Sequence, residues 1–297
     1  MPTINLPQGR IHYSEAGPSA AAAPTVVFVH GLLVDGTLWR ATAEALARAG
    51  IRSVAPDLPL GSHRIPLHPD ADLTPRGIAR LLNDLLAALE LTDVTLVGND
   101  TGGALCQFLL DEDPSRIGRL VLTNCDAFDK FPPPPFGALV AAGRSERRLA
   151  MLTAGMRSTR LRHSVLGYGG LVSSALDPQL TRAWVEGCLT DAGVRRDTAK
   201  FLRGVRPAEL LDVSTRLARF GKPVTLVWGD ADRFFRYRMA EQLRDAFGGA
   251  VLHRVAGART FVPLDATDRL AAEIAAVVGT DGANDPGRRA PEGAQSS

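Results

Sequence analysis

Gly98-Asn99-Asp100-Thr101-Gly102-Gly103 decides how this chain is read. The apolar run Val94–Val97 leads into it, and a helical pattern beginning near Ala104 leads out. Strand, tight glycine turn and helix together hold one side chain at the apex of a strained turn, where a reactant can reach it. The apex residue here is Asp100, where such turns usually present a serine hydroxyl. A carboxylate oxygen can attack a saturated carbon that bears a leaving group and form an ester, or it can carry a proton. A negative side chain also caps a helix N-terminus. A cap, however, needs neither the preceding strand nor the flanking glycines.

The surroundings of the turn set the fold class. Thr25–His30 (Thr-Val-Val-Phe-Val-His) is a continuous apolar run, as expected for a strand buried on both faces. Residues 51–56, 119–123, 223–228 and 250–255 read as further strands. Thr74-Pro75 reads as an N-cap followed by proline at the first helical position. Ile78, Leu81, Leu82, Leu85, Leu86 and Leu89 then form an apolar stripe at helical spacing. A final helix is expected over 268–278. Strands alternating with helices predict an α/β fold, a mostly parallel sheet with helices on both faces. Residues 127–220 break the rhythm: a proline run, Phe131-Pro-Pro-Pro-Pro135, opens a stretch of helical patterns without a clear strand. The expected organisation is a core of residues 1–126 and 221–279, a helical cap at 127–220, and a disordered polar tail at 280–297.

Composition narrows the function classes. Hydrophobic content of 45% and charged content of 22% are those of a globular protein. The net charge of +2 gives no electrostatic case for nucleic acid or a membrane surface. No signal pattern opens the chain and no apolar stretch is long enough to span a bilayer, so a cytoplasmic location is expected. Cys106, Cys125 and Cys188 are widely spaced and lack a CxxC pair, which predicts buried free thiols, no metal site and no cofactor. A small-molecule partner is expected, and a homodimer is compatible with the sequence.

These pieces resemble the α/β-hydrolase superfamily over nearly the whole chain except the tail. His30-Gly31 after the first buried strand matches its oxyanion-loop motif, the Asp100 turn its nucleophile elbow, and Gly229-Asp230-Ala231-Asp232 its acid position. Within the superfamily, an Asp at the elbow resembles the haloalkane dehalogenase and epoxide hydrolase branch. The resemblance implies Asp100 as nucleophile, backbone N–H groups of Leu32 and Thr101 as oxyanion hole, and Asp232 as acid. Asp126, after an earlier strand, is a second candidate acid. The family places its histidine base just before a Phe after the last strand. In Arg259-Thr260-Phe261 that position falls on Thr260, whose hydroxyl has no useful basicity near neutral pH. His63 and His163 are the candidate replacement bases, and His30 belongs to the oxyanion loop.

Markers of substrate type also depart from the family. The residue after the elbow Asp is Thr101 rather than the halide-binding Trp, and Leu32 occupies the other common halide site. Tyr168 is the one cap tyrosine, where epoxide hydrolases use two; Trp184 is another cap donor. The first expectation is therefore epoxide- or halide-type hydrolysis of a small, largely apolar substrate through an Asp100 ester. The alternatives are a non-hydrolytic isomerase, lyase or cyclase using Asp100 for proton transfer, and a ligand-binding protein that has lost turnover.

Overall fold

The computed structural model describes residues 2–19 and 24–279; the tail expected to be disordered lies outside them. Eight strands form one sheet: β1 (Thr3–Leu6), β2 (Gly9–Ala16), β3 (Thr25–Val29), β4 (Arg52–Pro56), β5 (Val94–Asp100), β6 (Ile117–Cys125), β7 (Val224–Gly229) and β8 (Val251–Val255). Their order is β1-β2-β4-β3-β5-β6-β7-β8, with β1 and β2 antiparallel and β3 to β8 parallel. The antiparallel hairpin β1–β2 is the part that the reading of continuous apolar runs does not resolve, because its residues alternate between faces.

The core helices are α1 (Arg40–Arg48), α2 (Pro75–Ala88) and α3 (Thr101–Glu112). Between β6 and β7 stand only helical elements: α4 (Phe136–Gly143), α5 (Glu146–Gly155), α6 (Thr159–Arg162), α7 (Pro178–Thr190), α8 (Ala192–Gly204) and α9 (Pro207–Ser214). The chain closes with α10 (Tyr237–Ala246), α11 (Val262–Asp265) and α12 (Thr267–Gly279). Thr74 caps α2 by accepting from the Gly77 N–H, with Pro75 in the first turn, and the Ile78–Leu86 stripe is buried.

The continuous apolar strands are explained by two cores, one on each face of the sheet. Along β3, Val27 and Val29 enter one core while Val26 and Phe28 enter the other; along β7, Leu226 and Trp228 oppose Val227. Side chains alternate across a strand, so a strand covered on both faces has to be apolar throughout. The first core packs under α2 and α3, the second under α1 and α12. The order of strands reverses around β3, which lies between β4 and β5. The crevice at the carboxyl ends of strands beside such a reversal is where open α/β sheets bind ligands, and the loop after β3 and the turn after β5 open into it.

Candidate active site

Asp100 closes β5 with φ of 54°, a left-handed conformation unusual for a residue other than glycine. Neighbouring glycines make the turn fit. A Cβ at Gly102 would run into the carbonyl oxygens of Val29 and His30, and one at Gly103 into the Cys125 side chain. A Cβ at Gly31 would overlap the Asp100 carboxylate itself. The loop after β3 can therefore lie directly against Asp100 only because residue 31 has no side chain.

The backbone N–H groups of Thr101 and Leu32 donate to the Asp100 carboxylate. Despite these donors, burial pushes its pKa from 3.8 up to about 7, helped by the nearby charge of Asp232. Asp126 follows β6, the neighbour of β5 in the sheet. Its Oδ2 accepts from Thr101 Oγ1 at 3.1 Å and its backbone carbonyl from Gln107 Nε2 at 2.9 Å. Its Oδ1 is buried with no hydrogen-bond partner. Burial, then the Asp100 charge, raises the Asp126 pKa well above the ordinary carboxylate range, and an unpaired buried oxygen fits a carboxyl group that keeps its proton.

Asp232 follows β7. Its Oδ2 accepts from Asn124 Nδ2 and Thr260 Oγ1, both at 2.8 Å, and its Oδ1 from the N–H groups of Phe234 at 2.7 Å and Phe235 at 3.0 Å. Burial still raises its pKa, against the effect of those four bonds. Thr260 is fully buried, and its carbonyl accepts from Asn99 Nδ2 at 2.7 Å. Asn99 also donates to Thr123 Oγ1 at 2.6 Å, and Asn124 accepts from the Gly229 N–H at 2.7 Å. Asn99, Asn124 and Gln107 are the structural members of the site that the sequence reading did not pick out. Their available signal is a polar amide at the carboxyl end of a buried strand or within an otherwise buried helix.

Above Asp100 lies a cavity of about 430 Å³ between sheet and cap, within the usual range for small-molecule sites. Phe131, Phe136, Val140, Phe201 and Leu202 contribute to its wall. The proline run that opens the cap supplies wall as well, through Pro132 and Pro133. Asp100, Asp126 and Tyr168 are its titratable lining groups among the described residues; no Arg, Lys or His lines it.

The model for the alpha/beta hydrolase fold family matches residues 24–267. The chain belongs to this family. Among curated relatives, the 2-hydroxy-6-oxononadienedioate/2-hydroxy-6-oxononatrienedioate hydrolase 1 of Dechloromonas aromatica is 26% identical over 76% of this chain and 75% of its own. The corresponding hydrolase of Paraburkholderia xenovorans is 26% identical over 82% of each chain. Among solved structures, haloalkane dehalogenase DbeA from Bradyrhizobium elkani superposes with a TM-score of 0.77 at 19% identity, over 95% of this chain and 98% of its own. That likeness is one of fold. An alpha/beta hydrolase fold protein from Burkholderia ambifaria gives a TM-score of 0.72 at 25% identity, over 92% and 96% of the two chains.

The alpha/beta-hydrolase fold does not bring every expected residue to the cavity. His30, expected near substrate, is fully buried: its Nδ1 donates to the Gly31 carbonyl at 2.9 Å and its Nε2 accepts from the Leu58 N–H at 2.8 Å. Burial also lowers its pKa, so it is a neutral brace of the loop. His63 is buried beside Asp197, 3.5 Å away, and His163 bonds Thr181 Oγ1 at 2.9 Å; neither lines the cavity, so neither supplies the expected base there. Trp184 is likewise not a cavity contact: it is buried, and its Nε1 donates to Thr37 Oγ1 at 2.9 Å. Tyr168 does line the cavity, but its hydroxyl is engaged by the Leu33 carbonyl and its ring meets Trp184 edge-on at 5.2 Å. It clasps the cap to the loop after β3. All three cysteines are buried and unpaired. No helix among the described residues is long and apolar enough to cross a membrane.

Proposed function

We propose that this protein is an enzyme for a small, uncharged, largely apolar substrate, and that Asp100 is the group that exchanges a proton with it. One observation carries this reading: the cavity presents two neighbouring carboxyl groups, Asp100 and Asp126, and no histidine base among its described lining residues. A pKa near 7 suits Asp100 to take a proton and return it at neutral pH. Asp126, held as the acid, can donate a hydrogen bond to a substrate oxygen as it gains charge. In the isomerisation this supports, the Asp100 carboxylate removes a proton from a carbon beside a carbonyl group. The Asp100 carboxyl group, whose acidic proton exchanges with water, then delivers a proton to another carbon of the conjugated system, so no water is consumed and both carboxyl groups end as they began. The relatives' names specify a dicarboxylate substrate. A dianion would lie unpaired against two acidic residues here, so an uncharged molecule is the better fit.

The strained turn and the two N–H donors on Asp100 favour a second reading, in which the carboxylate attacks carbon and the same donors hold the tetrahedral intermediate during water attack. Under it, Thr260 stands at the family's histidine position, bonded to Asp232 as that histidine would be, and the ester has no base to clear it. Incubation with a panel of uncharged enones, epoxides and alkyl halides in heavy water tests both. Deuterium entering carbon positions of the substrate, absent with Asp100→Asn, supports proton transfer. A protein mass increase absent in Asp100→Asn supports the ester reading and refutes the first. Binding with neither signal refutes both.

A further inference from the structure

Five of the seven large hydrophobic side chains that are exposed among the described residues fall in one short stretch of the cap: Met151, Leu152, Leu161, Val165 and Leu166. Single exposed apolar residues are ordinary, but a concentration of them marks an interaction surface. This stretch is a built structure. Arg162, itself buried, donates through Nη1 to the carbonyls of Met156 and Arg157 at 2.8 Å, and through Nη2 to Thr159 Oγ1 at 3.1 Å and Pro178 O at 3.3 Å. It fixes the turn between α5 and α6 and ties it to the start of α7. On α5, Arg147, Arg148, Met151 and Leu152 share the solvent face, while Leu149 and Thr153 are buried. Leu152, Leu161 and Leu166 also line the cavity, so the apolar patch is the rim of its mouth.

Charge is segregated to the same place. From Arg144 to Leu166 the chain has six arginines and one acidic residue, Glu146, although its total net charge is only +2. Arg147, Arg148, Arg157 and Arg160 are exposed. Net charge averages over the whole surface and hides this cluster.

We infer that this rim docks on an anionic phospholipid surface, from which an apolar substrate enters the cavity. Protruding aliphatic side chains need no matching hollows in a fluid acyl layer, whereas a folded partner needs shaped pockets and is usually anchored by aromatic residues. The segment 144–166 contains no Trp, Tyr or Phe. Its arginines would sit at headgroup level, in an attraction that salt screens. The inference is independent of the chemistry at Asp100, and failure of either leaves the other standing.

Co-sedimentation of the full chain with vesicles tests it, comparing phosphatidylcholine alone with an equal mixture of phosphatidylcholine and phosphatidylglycerol. Binding is expected to the anionic vesicles, weakened by salt and by Arg147→Gln/Arg148→Gln by on the order of tenfold or more. Leu161→Ser/Leu166→Ser is expected to weaken binding in low and high salt alike. Far-ultraviolet circular dichroism establishes that each variant is folded. Absence of wild-type binding, equal binding to neutral vesicles, or binding unchanged in both folded variants overturns the inference. So does a dimer in sedimentation equilibrium that Leu161→Ser/Leu166→Ser dissociates, because a second copy would then cover the rim.

Discussion

Replacing Asp100 by Asn is expected to stabilise the folded protein at neutral and higher pH while abolishing turnover. Burial raises the Asp100 pKa from 3.8 to about 7. Between these values the unfolded chain carries an ionised carboxylate while the folded protein keeps the proton. The folded state therefore binds more protons, and stability falls as pH rises through this window. The full difference corresponds to roughly 4 kcal/mol above pH 7. Asp100 is only half-buried and faces the cavity, and solvent there reduces the cost, so the expected gain is on the order of 2 kcal/mol. Asn keeps an oxygen for the Leu32 and Thr101 N–H groups and has the same branching at Cβ and Cγ as Asp, so the backbone at residue 100 is no more strained in the variant. Urea unfolding of both proteins at several pH values between the two pKa values and above 7 measures the effect. The advantage of the variant should grow with pH and level off above 7. An advantage that does not change with pH, or a variant less stable than the wild type at high pH, would refute the account of Asp100 as a carboxyl group strained by burial.

Asp126→Asn keeps the shape of a buried side chain whose Oδ1 has no hydrogen-bond partner and whose pKa is raised by burial, so its melting temperature should change little. Its turnover on a substrate found by the panel should fall by roughly 10²- to 10⁴-fold, the usual worth of a general acid; unchanged turnover would remove Asp126 from the chemistry. Thr260→Val deletes one of the four donors to Asp232 without much change of shape. Denaturant titration should show a loss of about 1–3 kcal/mol. Gly31→Ala pushes a methyl group into the Asp100 carboxylate. The expected result is a folded protein, by circular dichroism, that has lost the deuterium exchange or adduct formation of the wild type.

The α/β-hydrolase fold was legible because its signals are local. Thr74, Pro75 and the stripe from Ile78 to Leu86 specify α2 through capping and periodicity alone. The strand–turn–helix around Asp100 is legible for the same reason: its glycines are a local signal, and a Cβ at Gly98, Gly102 or Gly103 would meet atoms closer than 3 Å. The histidines were not legible. His63 and His163 lie in segments that could have faced the cavity, but Asp197 and Thr181 hold them elsewhere, and both partners are more than ten residues away in sequence. Trp184 faces Thr37 for the same reason.

The sequence alone determined that a carboxylate stands at the apex of a strand–turn–helix and that a threonine precedes Phe261, since residue identity and short spacing suffice for both. Only the tertiary structure decided that Asp100 and Asp126 share one cavity with no Arg, Lys or His among its described lining residues, and that Thr260 bonds Asp232. Those facts depend on which strand ends lie side by side and on how much water each carboxyl group loses. Contacts between distant segments fix both, and no local pattern encodes them.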